Sequence, residues 1–179
     1  MKDWNVVASV HPEGYGRARR ILEAWGSVGK TDFFNVLVLR TEDIAGLLEG
    51  LCDLVAREPG TLNFLGRVVP AQAAFDFQSP EEFEERAREA CLSRAPELAC
   101  KSFHVRMHRR GFKGKMSSQT EEQLLAGVLL GALESAGTPG RVAFDDPDAI
   151  LAVETVGGRA ALSLWTREEL RRYPFLGLD

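Results

Sequence analysis

Lys101-Ser102-Phe103-His104-Val105-Arg106-Met107-His108-Arg109-Arg110-Gly111-Phe112-Lys113-Gly114-Lys115 is the stretch whose reading decides the fold. From 101 to 110 the side chains alternate with a period of two. Phe103, Val105 and Met107 fall on one face, and His104, Arg106, His108 and Arg110 on the other, as expected of a half-buried strand. Gly111 and Gly114 end the alternation. Ser118-Gln119-Thr120-Glu121 then reads as a capping box that opens an apolar helix containing Leu124, Leu125, Val128, Leu129 and Leu133. The stretch holds six bases and no acid, whereas the remaining sequence has 16 bases against 26 acids. A cationic segment therefore sits on an acidic body.

Working outward, Ser79-Pro80-Glu81-Glu82 supplies a hydroxyl cap, a proline at the first helical position and a glutamate three after the cap, so a helix is expected from there to Arg94. The Gly137-Thr138-Pro139-Gly140 cluster closes the apolar helix, and residues 149–156 and 159–165 form two strands around the Gly157-Gly158 turn. The first part reads as strand (5–10), helix (14–25), a short strand (27–30), strand (33–39), a helix capped by Thr41 and ended by Pro59-Gly60, and strand (62–69). That β-α-β-β-α-β order implies an antiparallel sheet with two helices on one face, the ferredoxin-like unit. Residues 71–77 are extended without an assigned partner. The expected fold class is α+β, with domains at 1–78 and 79–179.

The 179 residues, 45% hydrophobic and 27% charged, exclude a disordered or collagen-like chain. Cys52, Cys91 and Cys100 are odd in number and lack a C-x-x-C pair, which argues against a zinc knuckle or a secreted disulfide framework and points to a reducing, cytoplasmic setting. No stretch approaches the roughly 18 apolar residues of a membrane span. His104 and His108 lie about 13 Å apart along a strand, too far to share a metal ion. Asp145, Asp146 and Asp148 around Pro147 read as turn residues before a strand. Gly14-x-Gly16 lacks the third glycine of a dinucleotide fingerprint, and no nucleophile–base pairing or Walker-type phosphate loop is present. No catalytic residue, metal site or cofactor is assigned.

What the cationic stretch does carry is phosphate chemistry. Same-face positions on a strand recur every 6.5 to 7 Å or so, a row that a phosphate backbone can meet. Gly111 and Gly114 permit close main-chain approach, Lys113 and Lys115 add mobile positive heads, and the loop delivers the chain to a helix N-terminus that favours an anion. Basic residues on an amphipathic strand are also commonly no more than a solvated face. Arg17, Arg19 and Arg20, flanked by Glu13 and Glu23, read that way on the first helix.

The residues from Lys101 to Gly111, the Ser-capped helix after them, and Val142-Ala143-Phe144-Asp145-Asp146-Pro147-Asp148-Ala149-Ile150-Leu151-Ala152-Val153-Glu154 together resemble the THUMP domain, over about residues 79–170. The unit ending in Arg67-Val68-Val69-Pro70 resembles the N-terminal ferredoxin-like domain that accompanies it. The resemblance implies tRNA binding at the acceptor stem and its single-stranded 3′ end. It also implies phosphate contacts from Arg106, Arg109, Arg110, Lys113 and Lys115, main-chain approach at Gly111, and anion contact at Ser117 or Ser118. Arg109 falls on the inward parity of the strand. The loop at 111–116 is richer in lysine than the family's usual Arg-Gly turn, and Phe112 is read either as a base-stacking or as a packing residue. Because the sequence ends soon after residue 178, it resembles most the stand-alone adaptor that serves a separate tRNA cytidine acetyltransferase, a role without catalysis. The alternatives are a protein-interaction module that keeps the fold without binding RNA, and an RNA-modifying enzyme with an unrecognised site.

Overall fold

A computed structural model describes residues 1–178 as two compact units, one of residues 1–71 with 169–177, the other of residues 72–168 with Leu178. The first contains β1 (Val6–Val10), α1 (Tyr15–Leu22), β2 (Ser27–Lys30), β3 (Val36–Arg40), α2 (Ile44–Arg57) and β4 (Leu65–Pro70). Its sheet has the order β2-β3-β1-β4 with every neighbouring pair antiparallel. The β-branched run 6–10 is central because almost every residue in it is buried on one face or the other. Ala18 and Leu22 of α1 and Leu47, Leu48, Leu51 and Val55 of α2 supply the buried helical faces.

Local chemistry corrects two expected boundaries in this unit. Asp43, not Thr41, caps α2, its carboxylate accepting the Gly46 N–H at 2.7 Å, while the Thr41 hydroxyl accepts from Asp43 N–H. Residues Pro59–Asn63 form a 3-10 turn, so β4 begins at Leu65 rather than at 62. A final 3-10 turn, Pro174–Leu176, brings Phe175 and Leu176 onto β4. Residues 169–177 thus belong to the first unit rather than the second.

The second unit holds β5 (Ala73–Asp76), α3 (Pro80–Arg94), β6 (Ser102–His108), α4 (Ser118–Ser135), β7 (Arg141–Val142), β8 (Ala149–Val156) and β9 (Arg159–Thr166), with α5 (Arg167–Arg172) following. Its sheet runs β5-β9-β8-β6-β7. β6 and β8 are parallel with α4 as their crossover, and β8 and β9 form the expected hairpin. The extended stretch at 71–77 gains its partner here, since β5 pairs antiparallel with β9 from Ala73↔Leu162 to Asp76↔Arg159. That pairing moves the division between units to 71/72, ahead of the expected 78/79. α3 starts as anticipated, with the Ser79 hydroxyl accepting from Glu82 N–H and the Glu82 carboxylate accepting from Gln78 N–H.

The core of this unit lies between the sheet and α3 and α4. Phe103, Val105 and Met107 meet Phe83, Ala87 and Cys91 of α3 and Leu125, Leu129 and Leu133 of α4. Full burial of each such leucine or phenylalanine is worth about 1.5–3 kcal/mol, so the inward face of β6 is fixed firmly. Among the described residues no helix is long and apolar enough to cross a membrane.

Candidate nucleic-acid interface

The outward face of β6 is less uniform than its alternation suggests. His104 is only 3% exposed, with its Nδ1 3.0 Å from the Ala143 carbonyl and its ring against Phe144. Arg106 is exposed and makes no ion pair among the described residues. His108 and Arg110 both turn to Glu154, a carboxylate 1% exposed on β8, at 3.3 Å and 2.5 Å. The row of four outward groups is therefore corrected to one exposed cation, one buried imidazole and two groups held by a buried acid. Register is the cause. His108 lies opposite Glu154 and Arg106 opposite Ala152, so of the outward side chains only those at the end of the strand meet the Glu154 carboxylate.

Beyond the strand the chain is clamped to the β8–β9 turn. Arg110 N–H donates to the Thr155 hydroxyl at 3.0 Å, and Gly157 N–H donates to the Arg110 carbonyl at 2.9 Å. Gly111 follows with φ +109°, and a Cβ built there would stand 3.2 Å from Gly157 Cα. Its glycine is required by the neighbouring turn, so the close main-chain approach expected toward a ligand is spent on the protein itself. Arg109 is half-buried and donates from its guanidinium to the Gly111 carbonyl. Phe112 packs on Phe77 with ring centroids 5.0 Å apart, which decides between its two readings in favour of packing.

Lys113 and Lys115, in contrast, are exposed and make no ion pair among the described residues. They precede α4, whose cap is Ser117 rather than Ser118, the Ser117 hydroxyl accepting from Thr120 N–H at 3.5 Å. Ser118 is the first helical residue and half-buried. Arg106, Lys113 and Lys115 thus stay open to solvent on one strand end and the loop after it, and Arg109 and Arg110 are occupied.

The Asp-x-Pro-Asp turn is structural. The Asp148 carboxylate accepts from both the N–H and the hydroxyl of Ser102 at 2.8 Å and pairs with Arg167 at 3.1 Å. The Ser102 main-chain N–H and hydroxyl hold its carboxyl below the usual carboxylate range. The residue that composition and spacing did not single out is Glu154. Its signal was present as one acid inside the apolar run Ala149–Val156, because such a residue is almost never buried without a charged partner.

Neither a protein-family model nor a curated protein matches the sequence. Solved structures do. TrmN from Thermus thermophilus superposes with a TM-score of 0.60 at 17% identity, over 89% of this chain and 44% of that one. A possible methylase from Clostridium difficile 630 gives 0.55 at 16% identity, over 90% and 40%. A 4-thiouridine synthetase, in a complex with RNA and bound ATP, gives 0.53 at 12% identity, over 91% and 41%. The chain thus spans under half the length of each of these three proteins. Identity this low carries architecture alone, and the architecture is clear: the chain has a THUMP-like α/β fold.

Proposed function

We propose that the chain binds tRNA through the open cations Arg106, Lys113 and Lys115, with the start of α4 at Ser117 and Ser118 offering main-chain N–H groups to a phosphate. The observation that carries this reading is their exposure without an ion pair among the described residues, in a stretch that holds no acid from 101 to 115. RNA is the ligand class favoured because the THUMP-like fold is shared with a 4-thiouridine synthetase solved with RNA, and because the sequence itself resembles that family. In this reading the duplex is recognised by shape and backbone, and any base reading is confined to the unpaired 3′ end.

The first unit belongs to the same proposal as a ferredoxin-like companion, supported by its β-α-β-β-α-β order and its β2-β3-β1-β4 antiparallel sheet. The chain's part is to hold and present tRNA, in a cytoplasmic setting, without a catalytic step of its own. Modification is supplied by another activity, such as a separate cytidine acetyltransferase.

Filter binding tests the ligand and its mode together, comparing intact tRNA with tRNA lacking its 3′ end. Intact tRNA should bind more tightly, with affinity falling steeply as salt rises. The triple variant R106E/K113E/K115E should reduce affinity about 100-fold or more and flatten the salt slope by about 2–3, since each neutralised phosphate contributes slightly less than one to it. Undiminished binding by the triple variant rejects the surface.

A further inference from the structure

β6 leaves part of its outer edge without a strand. β7 spans two residues, and its register with β6 ends at Phe103↔Val142. The last backbone bond on that side runs from Ala143 N–H to the Phe103 carbonyl at 2.9 Å, after which the chain departs through Phe144. Further along, Met107 N–H is met by the Glu122 carboxylate of α4 at 2.6 Å. Between these two points lies Val105, whose main-chain groups face the same side by the two-residue alternation of a strand.

Beside this edge runs a groove of about 640 Å³, lined chiefly by His104, Val105, Glu122, Ala126, Leu130 and Phe144. Phe144 is 77% exposed, which is unusual for a phenylalanine next to an apolar depression. Gly127 also lines the groove, and a Cβ built on it meets nothing within 4 Å. His104 adds an independent sign of an absent partner. Its Nδ1 faces a carbonyl and so carries the proton, which leaves Nε2 a bare acceptor that is buried and unpartnered.

We propose that this edge and groove receive an extended segment of a partner protein, added to β6 as a short strand. From Phe103 to Met107 the edge spans about 13 Å, room for three or four residues. An apolar side chain of the segment fills the slot between α4 and Phe144, while main-chain groups pair with Val105, as in strand addition elsewhere. A lysine or arginine next to it complements Glu122, the acid in the groove's lining, which is in no ion pair among the described residues. Among the described residues no lysine or arginine lines the groove, so a phosphate backbone finds no counter-charge there. This chemistry separates the groove from the tRNA-binding ridge.

The test uses the full chain and a synthetic array of fluorescein-labelled hexapeptides, valine or isoleucine alternating with lysine or arginine, with glutamate, or with threonine. Fluorescence anisotropy should show the basic members binding at least about tenfold more tightly than the acidic ones. N-methylation of alternate backbone nitrogens should abolish binding, and Gly127→Leu, which has space for its side chain, should weaken it about tenfold with thermal stability retained. Excess tRNA should leave the peptide bound. The proposal is overturned if no basic member binds up to about 1 mM, if N-methylation changes nothing, or if tRNA displaces the peptide and G127L loses tRNA affinity instead.

Discussion

Replacing Arg110 by methionine tests whether it is a structural cation, distinct from the cations proposed to bind tRNA. The guanidinium is 13% exposed and sits 2.5 Å from Glu154 Oε2, itself 1% exposed. Breaking a buried pair by removing one partner costs about 3–5 kcal/mol, because the surviving charge is left without compensation. His108 Nδ1 stays 3.3 Å from the other carboxylate oxygen, so the lower end, about 3 kcal/mol, is expected. For a unit of roughly 100 residues that corresponds to a fall in Tm of about 12–20 °C. Methionine keeps most of the apolar stem, so the loss reports the charge rather than a cavity.

The assay is thermal and urea unfolding of wild type, R110M, E154Q and the double variant R110M/E154Q, with tRNA filter binding on each below its transition. The double variant should recover most of the loss, giving a coupling of about 2 kcal/mol or more, since neither charge is then stranded. R106E should show the converse, with stability within about 0.5 kcal/mol of wild type and reduced tRNA affinity. If R110M unfolds within about 1 kcal/mol of wild type and loses as much tRNA affinity as R106E, Arg110 is a ligand contact rather than a structural cation.

Two further outcomes test the same unit. Glu121 is buried on α4 with Oε2 unpartnered, and burial, aided by Glu84, raises its carboxyl to about 6. The folded state therefore binds more protons than the unfolded one between about pH 4.3 and 6, and stability falls as pH rises through that window, by at most about 2 kcal/mol. E121Q should be more stable than wild type at pH 7.5 in urea titrations, with the gap closing near pH 4.5; parallel pH profiles would contradict it. Phe112→Ala should cost about 1–3 kcal/mol through lost contact with Phe77 and change tRNA affinity less than about twofold. A large affinity loss with stability unchanged would return Phe112 to a base-stacking role.

What was legible from residues alone follows from the range of the interactions involved. Phe103, Val105 and Met107 announce a half-buried strand because alternation is local, and the Ser79 cap is recognisable because it reaches only to Glu82. Asp43 and Thr41 are both competent caps two residues apart, so choosing between them needs the geometry of the turn. The pairing of Ala73–Asp76 with β9 and the return of Pro174–Leu176 to β4 join positions far apart in the chain, which no local pattern encodes. The candidate site divides the same way. Lys113 and Lys115 are open as expected from a glycine-broken loop, while the fate of His108 and Arg110 depends on which residue of a parallel strand lies opposite.

That dependence on register explains how one basic strand serves two ends. Same-face neighbours of Arg106 across the sheet are Ala152 and then Ser163, small groups that leave its guanidinium uncontested, whereas two residues later the opposite position is Glu154. Burying a carboxylate there is costly, and it is tolerated because His108 and Arg110 surround it. Together with the bonds from Arg110 to Thr155 and Gly157 and the close fit of Gly111, this ion cluster fixes the point where the loop leaves the sheet. Lys113 and Lys115 lie within five residues of Arg110 and are carried on a loop whose start is fixed, so ordering them at a phosphate costs less conformational entropy than on a freely moving segment.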